Sequence, residues 1–99
     1  MTIKVVTEFL KNATIRIIAY IYDDDGDLVA PTSVTIDLWD AEGTQLQTAT
    51  AMNVTGATGV YEHYEYTDDD SPAGHWRGVV WTLDGTYKSE GSFGFKVKS

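Results

Sequence analysis

The sequence predicts an all-β fold, a single sandwich of about seven to eight antiparallel strands. Apolar and polar residues alternate with a period of two along most of the chain, no segment keeps a helical period, and turn signals recur at short intervals. The chain has 99 residues, of which 42% are hydrophobic and 12% aromatic. A chain of this length and composition is expected to form one domain, over residues 1–99, with its own core.

Turn residues divide the first half of the chain into four expected strands. These strands cover residues 3–9, 13–22, 34–39 and 45–52. The acidic segment 23–27 ends the second strand, because Asp and Gly favour turns over strands. The apolar alternation places four side chains of this half in the core: Ile15, Ile17, Ile36 and Leu38.

The second half is divided in the same way. Strands are expected over residues 60–67, 75–83 and 86–97. Asp84-Gly85 between the last two strands is a short hairpin signal, because Gly supplies the positive φ that such turns require. Gly91 and Gly94 are expected to permit a bend or bulge in the last strand. The large aromatic side chains expected in the core of this half are Trp76 and Phe95.

Charge and composition exclude several classes of function. The chain carries 15 acidic and 7 basic side chains and a net charge of −8, which argues against a nucleic-acid partner. No cysteine is present, so thiolate catalysis and cysteine-ligated metals are excluded. No apolar run approaches the length of a membrane span. The first residues lack the pattern of a signal peptide, so we expect either a protein made without export or a module of a longer secreted chain.

The sequence resembles a large group of prokaryotic and viral immunoglobulin-like, or fibronectin III-like, domains. The resemblance lies in a pattern of turns and core positions that runs from about residue 12 to residue 97. Its motifs are Thr-Ile-Arg-Ile at 14–17, Asp-Gly at 25–26, Ser-Val-Thr-Ile-Asp-Leu-Trp-Asp at 33–40, Gly-Val-Tyr at 59–61 and Gly-His-Trp-Arg at 74–77. The resemblance implies an immunoglobulin-like sandwich without the disulfide of antibody domains.

The same resemblance implies two functions. Members of the group serve as small structural proteins of phage virions, so the first expectation is a virion accessory component, such as a capsid decoration or head–tail protein, made in the host cytoplasm. Its partners would be other virion or surface-assembly proteins, or further copies of itself. The alternative is a carbohydrate- or ligand-binding module of a larger, extracellular cell-surface protein. The residues themselves lead us to expect no cofactor.

Catalytic chemistry is not indicated by the residues. His63 and His75 are the two histidines, and no nucleophile elbow is present. His63 is expected on the strand surface or in an interface, and His75 is expected to face solvent. We therefore expect a protein that is not an enzyme, since function must be argued from a site.

Two acidic turns raise the question of calcium. Asp23, Asp25 and Asp27 form one oxygen-rich turn, and Asp68 and Asp70 belong to a second. If both turns lay at the same end of the sandwich, they could share an ion. The register of an EF-hand loop is absent, and solvated turns that keep the strand ends soluble are the favoured interpretation.

Exposed aromatic residues are the candidate partner-binding site. Alternation places Trp39 and Trp81 on an outer face, and Tyr20 and Tyr22 opposite the isoleucine face of their strand. A sandwich has only two outer faces, so we expect several of these aromatics to share one. Clustered Trp and Tyr would mark an interface, whereas singly exposed rings would be ordinary surface.

Overall fold

The computed structural model describes residues 1–10, 14–68 and 71–98 and confirms the all-β prediction. It contains eight strands among these residues. They are β1 (Thr2–Leu10), β2 (Thr14–Tyr22), β3 (Ser33–Trp39), β4 (Gln45–Ala51), β5 (Asn53–Val54), β6 (Val60–Tyr66), β7 (Gly74–Asp84) and β8 (Tyr87–Val97).

The strands form two antiparallel sheets of four. Sheet A has the order β1-β2-β6-β5, and sheet B has the order β4-β3-β7-β8. The single strand expected over 45–52 is two strands, because the chain leaves sheet B after Ala51 and enters sheet A at Asn53. Met52 between them is buried, and its N–H donates to the carbonyl of Val34 at 3.0 Å.

The core lies between the sheets and contains the side chains that alternation placed there. All six predicted core residues are buried: Ile15, Ile17, Ile36, Leu38, Trp76 and Phe95. Trp76 is the largest of them, and its indole N–H donates to the carbonyl of Pro72 at 2.9 Å. A buried Trp therefore keeps its polar atom satisfied while its ring packs in the core.

The β7–β8 hairpin confirms the turn signal and corrects the expectation of a bulge. Asp84 pairs with Tyr87, and Gly85 has a φ of 64°. The register between β7 and β8 is unbroken through Gly91 and Gly94, so no bulge occurs there. Gly91 instead permits close approach of β1, since a Cβ at this position would lie 2.9 Å from the Cβ of Ile3.

The irregular strand is β4. Ile36 pairs with Thr50 and Leu38 with Gln47, so β4 has one more residue than β3 between these pairs. The bulge includes Ala49, whose φ is 46°. An extra residue reverses the alternation of side chains. Gln47 and Thr50, three residues apart, consequently both point between the sheets.

The described part of the chain contains no helix long and apolar enough to cross a membrane.

Candidate interaction faces

The outer face of sheet B, called here the tryptophan face, carries both predicted tryptophans. Trp39 on β3 pairs across the strands with Arg77 on β7, and the guanidinium carbon of Arg77 lies 4.2 Å from the centre of the indole ring. This is a cation–π contact, which fixes the ring and leaves it half-buried. Alternation predicted the outward direction of Trp39, but not the arginine above it.

Trp81 is held on the same face by a carboxylate from the central strand β3. Its indole N–H donates to Oδ2 of Asp37 at 2.9 Å. Oδ1 of Asp37 accepts the backbone N–H of Ala49 at 2.7 Å, which ties the same carboxylate to the bulge of β4. Asp37 thus connects β4 and β7 across β3, and its role depends on strand register that the sequence does not reveal.

A shallow groove of about 260 Å³ lies beside Trp81. Its lining combines the indole ring with hydroxyl, carboxylate and ammonium groups: Ser33, Thr35, Asp37, Ala49, Trp81, Thr82, Leu83 and Lys88. Trp39 pairs with Arg77, which lies four residues before Trp81 on β7. The two tryptophans are therefore about 13 Å apart along the strand direction. The face therefore presents two separate indole rings rather than one stacked pair.

The four predicted aromatics do not form one patch. Trp39 and Trp81 lie on the outer face of sheet B, whereas Tyr20 and Tyr22 lie on the outer face of sheet A, since the core side of β2 is the isoleucine side. The two sheets face each other, so their outer faces point in opposite directions. The expectation that several of these aromatics share a face holds for each pair, and the two pairs lie on opposite faces.

The outer face of sheet A, called here the tyrosine face, is larger than the sequence indicated. Tyr64 and Tyr66 on β6 join Tyr20 and Tyr22 there, since Tyr66 pairs with Thr14 and Tyr64 with the outward Arg16. Their outward direction was missed because the two faces of β6 are both mixtures of apolar and charged residues.

An ion-pair group lies in the middle of the tyrosine face. Arg16 donates to Oε2 of Glu62 from Nε at 2.9 Å and from Nη2 at 2.7 Å, and its Nη1 lies 3.5 Å from Glu8. The hydrogen bonds to Glu62 raise the pKa of the Arg16 guanidinium above its usual value. Arg16 is charged at neutral pH in any case. The hydrogen bonds to Glu62 hold its guanidinium group in a fixed position on the face.

The two acidic turns lie at opposite ends of sheet A, so they cannot share an ion. Asp23 follows Tyr22, the last residue of β2. Asp68 comes shortly after Tyr66, the last residue of β6, and Tyr66 pairs with Thr14 at the start of β2. The length of β2 separates them by roughly 27 Å. Asp70 lies outside the described residues.

Within the first turn, the carboxylate of Asp23 accepts hydrogen bonds from the backbone. Its Oδ1 accepts the N–H groups of Asp25 at 2.9 Å and Asp27 at 3.0 Å. This is the side-chain-to-backbone bonding typical of Asp in turns. Among residues 1–10, 14–68 and 71–98, no group of three or more His, Asp and Glu side chains is placed to hold a metal ion.

His63 lies inside the sandwich, which corrects the expectation of a surface position. It is 8% exposed and pairs with the inward Ile17 of β2. Its Nε2 lies 2.9 Å from Oε1 of Glu65, and the same oxygen accepts from Nε2 of Gln47 at 2.9 Å. Thr50 in turn donates to Oε1 of Gln47 at 2.7 Å. His75 is exposed, as expected.

Comparison of the chain with models of known protein families, with curated proteins and with solved structures gave no match.

Proposed function

We propose that this chain is a non-catalytic interaction protein that docks on a larger protein assembly through its tryptophan face. The observation that carries the proposal is the pair of tryptophans on one face, each held by a side chain of a neighbouring strand. Tryptophans are favoured at binding hot spots. Rings that are fixed before binding lose little conformational entropy on docking, which favours affinity.

The distribution of charge supports docking through this face. The tryptophan face carries three basic and two acidic side chains on the outward positions of its strands: Arg77, Lys88, Lys96, Asp37 and Glu90. The net charge of the whole chain is −8, so the acidic excess lies elsewhere, largely in the turns at the ends of the sandwich. A partner can therefore approach this face without the repulsion that the acidic turns would produce.

The strand order supports an immunoglobulin-like assignment within this proposal. The order β1-β2-β6-β5 facing β4-β3-β7-β8 corresponds to strands ABED facing C′CFG of such sandwiches. The large buried Trp76 lies on β7, whereas antibody domains place theirs on the third strand. The specific form that we propose is a virion accessory component, a capsid decoration or head–tail protein made in the host cytoplasm.

The absence of catalysis is part of the proposal. His63 and Glu65 are the histidine–carboxylate pair that hydrogen-bonds in the described residues, and both point between the sheets. The Glu65 oxygen that contacts His63 also accepts from Gln47. A general base must reach a substrate proton, and the side chains of this pair are only 10% and 13% exposed.

The test compares two double variants in an assembly assay. Trp39→Ala/Trp81→Ala should fold and lose incorporation into the assembly, whereas Tyr20→Ala/Tyr22→Ala, which removes two aromatics from the opposite face, should retain it. The neighbouring genes determine which assembly is assayed. Capsid, portal or tail genes beside the reading frame indicate a virion, whereas an open frame that continues past residue 99 indicates a module of a surface protein. Equal incorporation of both folded variants would exclude the tryptophan face.

A carbohydrate-binding module is the second candidate, favoured by the polar groove beside Trp81. An aromatic ring surrounded by hydroxyl and carboxylate groups suits a sugar, which stacks its apolar side and hydrogen-bonds its hydroxyls. A glycan array separates the two functions in the same set of variants. Sugar binding would be lost with Trp81→Ala alone and kept with Trp39→Ala, because the ring of Trp39 is covered by Arg77.

A further inference from the structure

The edges of the two sheets differ in how they discourage pairing with another chain. Natural edge strands are protected by shortness, bulges, lysines or glycines. Among the described residues, β5 has two residues, β4 carries the bulge at Ala49, and β8 bears Lys88, Lys96, Gly91 and Gly94.

The edge strand β1 has only one of these blocking features, the lysine Lys4. Its nine residues contain neither Gly nor Pro and pair with β2 in unbroken register. It carries two charges, Lys4 and Glu8. In an antiparallel pair, hydrogen-bonded and non-hydrogen-bonded residues alternate, so part of the N–H and C=O groups of β1 point away from β2. These groups form a template for a further strand.

We propose that β1 pairs antiparallel with β1 of a second copy, about a two-fold axis at Val6. This register uses all nine residues of the strand. It places Thr2 opposite Leu10, Ile3 opposite Phe9, Lys4 opposite Glu8, Val5 opposite Thr7, and Val6 opposite its own equivalent.

Charge complementarity selects this register. Lys4 and Glu8 are both exposed on the outer side of sheet A. The axis at Val6 brings Lys4 of each copy opposite Glu8 of the other, so two opposite-charge pairs form. The two nearest registers with matching faces place Val6 opposite Glu8 or opposite Lys4, so neither forms a Lys4–Glu8 pair, and both use fewer residues. A slip by one residue would pair outward with inward side chains.

The surroundings of β1 also accept a second copy. The charged side chains on the outward positions of the tyrosine face are Lys4, Glu8, Arg16 and Glu62, and their charges cancel. A chain with a net charge of −8 would repel its copy through the acidic turns, but this face carries no net charge. The interface is isologous and therefore closed, which limits assembly to a dimer.

Pairing at this edge has a geometric consequence. The two-fold axis stands perpendicular to the shared sheet, so both tryptophan faces lie on the same side of the dimer. Two docking faces on one side would increase avidity for a repetitive partner surface. This consequence rests on the proposed function, whereas the dimer itself does not.

Sedimentation equilibrium of the full chain tests the dimer directly. We expect a monomer–dimer equilibrium in which Lys4→Glu weakens association at least about tenfold, because two attractive pairs become repulsive. Lys88→Glu, the same charge change on the β8 edge, should leave association unchanged. The double variant Lys4→Glu/Glu8→Lys should recover it. A mixture of the single variants Lys4→Glu and Glu8→Lys should form a heterodimer, because each restores the opposite charge across from the other.

Val6→Lys supplies a second test, since it places two lysines at the axis on an exposed position. It should give a folded monomer, with folding followed by circular dichroism. A wild-type chain that stays monomeric up to ~1 mM would overturn the proposal. Equal effects of Lys4→Glu and Lys88→Glu, or a dimer that Val6→Lys leaves unchanged, would also overturn it.

Discussion

The interior of the sandwich is filled in different ways at its two sides. Towards β8 it is aromatic: Phe95 lies with its ring centre 5.9 Å from that of Trp76 and 6.0 Å from that of Phe93. Towards β4 it is polar, with the connected side chains of Thr50, Gln47, Glu65 and His63. The aromatic side gains stability from burial, which has no required direction, whereas the polar side is stable only while each group keeps its partner.

Trp76→Ala should produce the largest loss, because it removes the largest side chain of the aromatic side. Trp76 is 2% exposed, so the loss of burial together with the remaining cavity should cost about 3–5 kcal/mol. Urea denaturation measures the change, with unfolding monitored by far-UV circular dichroism rather than by tryptophan fluorescence. Trp76→Phe keeps an aromatic ring and should lose clearly less. An unchanged midpoint for Trp76→Ala would contradict the buried position.

Glu65→Leu should produce the next largest loss, on the polar side. It removes the oxygen shared by His63 and Gln47, and a buried group without a partner costs about 1–3 kcal/mol. We expect a loss of about 2 kcal/mol, measured by the same denaturation.

Two further variants serve as controls for Glu65→Leu. Glu65→Gln keeps an acceptor oxygen and should lose less than Glu65→Leu. The quadruple variant Gln47→Leu/Thr50→Val/His63→Leu/Glu65→Leu removes the connected groups together and should be nearly neutral, because apolar groups of similar shape replace satisfied polar ones. If Glu65→Leu were as stable as the wild type, the polar side would not depend on its hydrogen bonds.

The two sides also differ in how far the sequence could predict them. On β2, three isoleucines and Ala19 lie on one side of the strand, whereas the other side carries Arg16, two tyrosines and a single isoleucine, Ile18. The buried side follows from this difference. On β6, one face contains Val60, Glu62 and two tyrosines, and the other contains Tyr61, His63 and Glu65. Periodicity cannot choose between them, because the choice is made by pairing with β2, a non-local interaction.

The candidate site was predictable to a similar extent. Alternation placed Trp39 and Trp81 on an outer face, which the structure confirms. The side chains that hold them come from neighbouring strands, and the pairing of β3 with β7 sets which ones they are. The bulge in β4 was not predictable either, since it depends on the carboxylate of Asp37 accepting the N–H of Ala49.

The smallest expected effect concerns this bulge, which creates the polar side by turning Gln47 and Thr50 inward together. Ala49 has a φ of 46°, and the left-handed region costs an L-residue with a Cβ about 1–2 kcal/mol. Glycine removes that cost but loses about 0.5–1 kcal/mol through the greater freedom of the unfolded chain. Ala49→Gly should therefore stabilise the protein by about 0.5 kcal/mol. Ala51→Gly, in ordinary strand conformation on β4, should instead destabilise it by a similar amount, and a loss of stability in both variants would show that Ala49 is not strained.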